Sequence, residues 1–377
     1  MNSGTLTELA EILSHYDLGQ PTGSELNDRG FVNTSYAITT ANSQGVRKTY
    51  FLRKYKPGIQ EDELIFEHSL MRHLSSKGVC PVAWVHPTRS GQPYLARYEG
   101  AAGPQPRYYA IFDFLPGEDR YTWINPHCTL AEIANSAAVF AQFHRALFDW
   151  SPQGARFEAK ILDLLPQILT GLKGVKQRSK GTIFDDYLHA NLDLLINDLQ
   201  TTLTVLSEAG VRQMPQMVIH CDYHPGNLKF TGDQVTALFD FDWSKVDYRC
   251  FDVGLALFYF FTSWEAQDGQ FRLEDAALFL KAYQETLMNG QAPGPLDANE
   301  LKYLPAMINA SNIYVLNWTI EDFYNKSVDP QEYLPFLAHA VEFIRWLDAD
   351  DHRTQLNEMI SGITPAGSHL EGHAAPR

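Results

Sequence analysis

The side chains best suited to chemistry are Asp222, Asn227 and Asp240. They lie in two short runs, His220-Cys221-Asp222-Tyr223-His224-Pro225-Gly226-Asn227 and Leu238-Phe239-Asp240-Phe241-Asp242. A carboxylate facing a hydroxyl can orient it and take its proton. An amide oxygen and a second carboxylate supply hard oxygen ligands of the kind Mg²⁺ prefers, with water and phosphates completing the shell. Together these groups suit transfer of a phosphoryl group to an alcohol, a reaction helped mainly by positioning and charge neutralisation. Asp222 is the expected base, His220 a hydrogen-bonding residue that fixes the loop, and Asn227 and Asp240 the Mg²⁺ ligands. Zinc or iron held by His220, Asp222 and His224 is the competing reading. It gives Asn227 and Asp240 nothing to do.

These residues need a frame that brings them together. Val218 and Ile219 form a short apolar lead-in, and residues 220–227 hold turn formers and polar groups. Residues 228–230 resume an apolar run, Thr231-Gly232-Asp233 turns the chain, and 235–239 is a second strand. The loop is therefore expected at the mouth of a hairpin, with Asp222, Asn227 and Asp240 close together.

The two runs, in this order and spacing, resemble the aminoglycoside phosphotransferase/choline kinase superfamily, small-molecule relatives of protein kinases. Asp222 and Asn227 match the base and metal ligand of an H-x-D-x-x-x-x-N loop, and Asp240-Phe241 takes the place of D-F-G, with Asp242 for Gly. Pro225-Gly226-Asn227 and the later Phe251-Asp252 fit this family better than protein kinases. The latter carry Arg after the loop His and an A-P-E segment, which is not found after Asp240. The resemblance implies an α+β, bilobal protein-kinase-like fold: a small N-terminal antiparallel-sheet lobe and a larger, mainly helical C-terminal lobe. It also implies ATP and Mg²⁺ as cofactors.

Further roles follow from the same resemblance. Residues 23–40 read as two strands around Asp28-Arg29-Gly30, and 47–55 as a third. Gly30 would let the backbone approach the nucleotide phosphates, although no G-x-G-x-x-G is present and an ordinary turn is the other reading. Arg53 takes the place of the strand's phosphate-contacting base, usually Lys, with Lys54 as the alternative; a permanently charged, bidentate guanidinium keeps the role. Glu67, on a helix over 60–75, stands where the family's ion-pair Glu belongs. Residues 108–112 run into Asp113-Phe114-Leu115-Pro116-Gly117, like the family's hinge, so Phe112, Asp113, Phe114 and Leu115 are expected beside the adenine. Asp252 is expected to brace the catalytic loop, and His144 to be structural.

The remaining pattern is helical: 129–148 behind an N-capping Thr129, then 157–174, 182–208, 273–288, 300–322 and 330–347. Residues 173–180 are a basic loop, read as solvated or as a phosphate-attracting patch, and 244–249 as a polar loop. Trp318, Glu321, Asp322 and Tyr324 are candidates to face the acceptor. The expected lobes are 1–112 and 113–364, with the hinge at about 112–118 and a disordered Gly/Pro/His-rich tail at 365–377.

Composition narrows the partners. At 377 residues, 45% hydrophobic, the chain can fill two lobes. A net charge of −15 argues against nucleic acid. Cys80, Cys128, Cys221 and Cys250 lack CxxC spacing and fit a reduced cytoplasm. The start lacks a signal-peptide layout, and the most apolar run, 253–261, is too short to cross a bilayer. The expected partner is a small molecule with a hydroxyl to be phosphorylated. The layout around Phe31-Val32-Asn33-Thr34-Ser35-Tyr36 is similar to homoserine kinase-like members, which ranks a homoserine-like amino acid alcohol first. A sugar or amino sugar, then an aminoglycoside or choline, follow. A nucleotide-binding regulator without turnover and a protein kinase are the readings from other classes.

Overall fold

The computed structural model describes residues 3–27, 33–78, 81–99, 105–264, 268–288, 290–349 and 351–363. Gly30, Cys80 and the tail at 365–377 lie outside these. The chain divides into two compact units. The first holds Met1–Glu118 with Pro152–Arg156 and Thr236–Phe239; the second holds Asp119–Ser151, Phe157–Val235 and Asp240–Arg377. The mixed α+β architecture, with antiparallel strands early and helices late, is the one the family resemblance implies.

The first unit is built on helix α1 (Ser3–Ser14), strands β1 (Gln20–Asn27), β2 (Thr34–Ala41) and β3 (Arg47–Lys54), helix α2 (Glu61–Lys77), and strands β4 (Val85–His86), β5 (Leu95–Glu99) and β6 (Gln105–Asp113). The sheet runs β1-β2-β3-β6-β4, with β5 also on β6, and every pairing is antiparallel. Its core is Leu9, Ile12, Leu13 and Tyr16 of the α1 segment against Ile38, Tyr50, Leu52, Tyr109 and Ile111. Alternation along β3 sends Leu52 to that core and Arg53 to the opposite face. α2 opens with a capping box between Gln60 and Glu63 and closes on a left-handed Gly78.

The second unit carries α3 (Leu130–Leu147), α4 (Ile161–Gly174), α5 (Ile183–Leu206), β7 (Gln216–Ile219), β8 (Leu228–Thr231), β9 (Gln234–Leu238, whose last residues belong to the first unit), β10 (Lys245–Tyr248), α6 (Arg249–Phe261), α7 (Leu273–Leu287), α8 (Ala298–Asn325), α9 (Pro330–Asp348) and α10 (His352–Ser361). α3 starts at Thr129, whose hydroxyl accepts the Glu132 N–H while the Glu132 side chain caps in return. Beyond its first turn α6 is apolar and, Tyr259 apart, buried. Gly254 lets α8 cross it at backbone distance, since a Cβ there would stand 2.9 Å from the Met307 carbonyl carbon. The buried Arg249–Glu300 pair ties the first turns of the two helices together.

Three boundaries differ from the sequence reading. Residues 244–249 are not a polar loop, because Lys245–Tyr248 pairs with β7. The strand's polarity is inverted: Lys245 and Asp247 are buried and Val246 is exposed. The buried charges satisfy one another, Lys245 Nζ lying 2.9 Å from Glu158 and 3.4 Å from Asp247. Asp247 also accepts the Ile161 N–H (2.8 Å), which fixes the start of α4 four residues later than expected. α10 was not anticipated; only Leu356 and Ile360, four apart, are buried on it. The basic loop at 173–180 is tied to α8: Arg178 pairs with Glu321, and Lys180 donates to the Phe323 carbonyl. It therefore acts as a brace at a helix C-terminus, where a cation is favoured.

Candidate active site

The loop after β7 is held by its backbone. The Asp252 carboxylate, in the first turn of α6, accepts the His220 N–H on Oδ2 (2.9 Å) and the Cys221 N–H on Oδ1 (2.8 Å). His144 Nε2 lies 3.0 Å from the same Oδ2, and Tyr283 Oη 2.6 Å from His144 Nδ1. Oδ2 can only accept, so His144 donates from Nε2 and receives the Tyr283 proton at Nδ1. Burial drives the His144 pKa below its usual value despite Asp252, which keeps the ring neutral. The bracing role implied for Asp252 and the structural role for His144 correspond to this buried chain.

Asn227 closes the loop. Its Nδ2 donates to the Asp222 carbonyl (2.9 Å) and to Asp222 Oδ2 (3.0 Å), which orients the amide oxygen away from the carboxylate. His224 Nδ1 accepts the Gly226 N–H (3.0 Å), so Nε2 carries the proton, 3.6 Å from Asp222 Oδ1. Burial pushes the Asp222 carboxyl up, but the neighbouring His224 and His220 rings and the Asn227 amide outweigh it, and its pKa lies below the ordinary value. Asp222 is thus held ionised. Asp240 begins the turn after β9 with φ at +66°, and the next ring, buried Phe241, lies 5.0 Å from that of His220. His220 is fully buried, its ring packed by those of Phe143 and Phe241, and its carbonyl accepts from the Ser244 hydroxyl. Among the described residues no three His, Cys, Asp or Glu side chains form a metal cage, so the His220–Asp222–His224 zinc arrangement is not assembled. The Asn227 amide oxygen and the Asp222 and Asp240 carboxylates are donors of the kind that suits a hard cation sharing its shell with phosphate.

In the first unit, Arg53 Nη1 reaches Glu67 Oε1 at 3.0 Å, with Glu67 buried and the guanidinium nearly so. Glu67 Oε2 accepts from Tyr55 Oη (3.1 Å), and that hydroxyl also meets His68 Nε2 (2.9 Å). Lys54 points the other way, to Glu8 on α1 (2.9 Å). Phe112 is buried at the end of β6, and Asp113 binds Lys48 (3.1 Å) and His86 (3.0 Å); burial pushes the Asp113 pKa up, yet those two partners bring it below normal. Phe114 is exposed and Leu115 half-buried. Gly30 lies outside the described residues. Of the C-terminal candidates, Glu321 is taken by Arg178, Asp322 by Lys326 and Tyr333, and Tyr324 by Asp185 (2.6 Å). Tyr259, which spacing did not single out, packs its ring 5.2 Å from that of His224, and burial followed by the Asp222 charge pushes its hydroxyl pKa up.

Similarity to known proteins accords with these geometries. The chain is 26% identical over 338 residues to the homoserine kinase of Methylocella silvestris, covering 88% of this chain and 91% of the relative. It is 28% identical over 381 residues to the homoserine kinase of Rhodopseudomonas palustris, covering 98% and 97%. The fold matches a microcompartment-associated aminopropanol kinase (TM-score 0.64, 18% identity, 92% and 98% covered) and a Plasmodium vivax ethanolamine kinase (TM-score 0.55, 15% identity, 94% and 91% covered). No helix among the described residues is long and apolar enough to cross a membrane. The phosphotransferase enzyme family model matches residues 24–290, and the chain belongs to that family of small-molecule kinases.

Proposed function

We propose that the protein transfers the γ-phosphoryl group of ATP to the hydroxyl of a homoserine-like amino acid alcohol. The observation that carries the reading is the double hydrogen bond from Asn227 to Asp222, which sets a base and a metal-facing amide oxygen on one rigid loop. The homoserine kinases, similar over about nine-tenths of both chains, favour this acceptor. Asp222, held ionised, orients the acceptor hydroxyl and receives its proton. His220 secures the loop through its backbone and its packed ring. Asn227 Oδ1 and Asp240 would hold Mg²⁺, which supplies charge neutralisation on the nucleotide phosphates. Arg53, aligned by Glu67, contacts phosphate, and the Phe112–Leu115 segment approaches the nucleotide.

ADP release with MgATP, screened across homoserine, other amino alcohols, hexoses, amino sugars, choline and aminoglycosides, tests the assignment. Homoserine should stimulate the wild type, and Asp222→Asn should reduce kcat by about 10²-fold or more. Stimulation by a sugar alone would move the acceptor class. ATP binding without any stimulated release would leave a nucleotide-binding regulator.

A further inference from the structure

Behind the Arg53–Glu67 pair, the first unit carries buried polar groups to which the proposed chemistry gives no task. Alternation puts Tyr55 on the same face of the chain as Arg53, two residues on. Its backbone is tied to β6 through both polar groups: the Tyr55 N–H donates to the Tyr108 carbonyl (3.0 Å), and the Tyr55 carbonyl accepts from the Arg107 guanidinium (3.3 Å). The side chain is buried, and its hydroxyl crosses to α2, where Glu67 and His68 are buried as well.

The three groups are joined in a fixed order of donors. Tyr55 Oη lies 3.1 Å from Glu67 Oε2 and 2.9 Å from His68 Nε2. A carboxylate paired with a guanidinium only accepts, so the single hydroxyl proton goes to Glu67, and the hydroxyl oxygen receives a proton-bearing Nε2. The far side of the ring leads to the same tautomer. His68 Nδ1 meets no hydrogen-bond partner among the described residues, so a proton there would be buried unsatisfied. Burial, aided by the charges of Arg53, Arg72 and Arg156, drives the His68 pKa to about 3 and keeps the ring neutral. The rings of Phe112, Tyr94 and Tyr55 pack around it at 5.8, 6.0 and 6.1 Å. Every donor in the chain therefore points toward Glu67: His68 to Tyr55, Tyr55 to Oε2, and Arg53 to Oε1 at 3.0 Å. Hydrogen bonds aligned in one direction polarise and strengthen one another in a dry interior.

An arginine in this place needs more restraint than a lysine. The guanidinium is planar and meets phosphate well only in a set orientation, whereas an ammonium acts as a point charge. Glu67 can set that plane only if its own carboxylate is fixed. We propose that Tyr55 and His68 are positioning residues for the nucleotide phosphates: they lock the Glu67 carboxylate and, through it, the plane of Arg53. The inference rests on the phosphate role given to Arg53 above and names the groups that make it effective.

Equilibrium binding of MgATP, set against adenosine, reads this without turnover. Adenosine lacks the phosphates, so a positioning effect moves ATP alone and a structural one moves both. Tyr55→Phe keeps the ring and removes the hydroxyl; it should weaken MgATP binding by about tenfold and leave adenosine unchanged. His68→Leu should act in the same direction, so the chain is tested even if one variant fails to fold. His68→Gln, which keeps an N–H donor near the place of Nε2, should restore most of the affinity. In an Arg53→Leu background no guanidinium is left to orient, and Tyr55→Phe should add nothing. Equal losses for ATP and adenosine overturn the positioning role. So does unchanged ATP affinity in Tyr55→Phe where Arg53→Leu weakens it, or a full tenfold loss added on top of Arg53→Leu. Undiminished MgATP binding by Arg53→Leu overturns the phosphate role of Arg53, and the inference with it.

Discussion

Replacing Asp252 with Asn tests whether the catalytic loop is held from α6. The carboxylate accepts three donors at 2.8–3.0 Å, two of them backbone N–H groups of His220 and Cys221. All of these partners are buried. In Asp252→Asn one carboxylate oxygen becomes an NH₂ group facing a donor. If it faces Cys221, one charge-assisted bond worth about 1.5–3 kcal/mol is lost and a buried N–H is left unsatisfied at about 1–3 kcal/mol. Facing His220 and His144 is worse, since two donors are then opposed. The expected loss is therefore about 3–5 kcal/mol, within reach of a total of about 5–15 kcal/mol, so the variant should fold with a lowered urea midpoint. The loop that carries Asp222 should also loosen, and a displacement near 1 Å is enough to lower kcat by about 10²-fold. Urea unfolding and steady-state ADP release on the same samples measure both. A stability loss below about 1 kcal/mol, or full kcat with the loss present, would refute the argument that Asp252 positions the base.

Other perturbations have equally definite outcomes. Glu67→Gln strips the charge from the Arg53 pair, so stability should fall by about 3 kcal/mol and the KM for ATP should rise several-fold with the acceptor KM unchanged. Gly226→Ala would set a Cβ 2.9 Å from the His224 ring and 3.0 Å from the Thr122 carbonyl carbon, so kcat should drop by about tenfold or more while the far-UV spectrum is retained. Burial lowers the His68 pKa to about 3, aided by Arg53, Arg72 and Arg156, and burial likewise lowers His144 and His339. A depressed histidine contributes fully above its unfolded pKa, so stability should decline as pH falls below about 6.5 and continue to decline toward 3. Asp247, raised by burial to about 6, opposes this between about 4 and 6, where its neutral form is favoured. Urea midpoints across pH 4–8 check the net slope, which should be shallower in His68→Gln.

What was legible in the sequence follows from how locally each feature is encoded. Asp222 and Asn227 sit five residues apart on one loop, so their spacing alone brings them into contact. The Arg53–Glu67 pair joins a strand to the next helix, and only the family resemblance linked the two; periodicity left Arg53 and Lys54 equivalent. The alternation of β3 separates them, sending Lys54 to Glu8. β10 was hidden because its buried positions are charged, a pattern that reads as surface until Glu158 and Asp247 are seen around Lys245.

The loop itself shows why a residue 30 positions after the base matters to it. Cys221 has φ at +62°, a left-handed backbone that costs a side-chain-bearing residue of order 1–3 kcal/mol. That conformation turns the chain sharply between β7 and Asp222, and it persists only where neighbours over-determine it. Asp252 does so with two backbone bonds, and the Cys221 thiol adds a weak one to Tyr314, whose hydroxyl reaches Glu158 and, through it, Lys245. Gly at this position would adopt the same φ without strain. Cys221→Gly should therefore relieve the backbone while removing the sulfur contact. If positioning of Asp222 comes from Asp252, kcat should survive this change and not Asp252→Asn. The opposite order would place the control of the base in the Tyr314–Glu158–Lys245 chain instead.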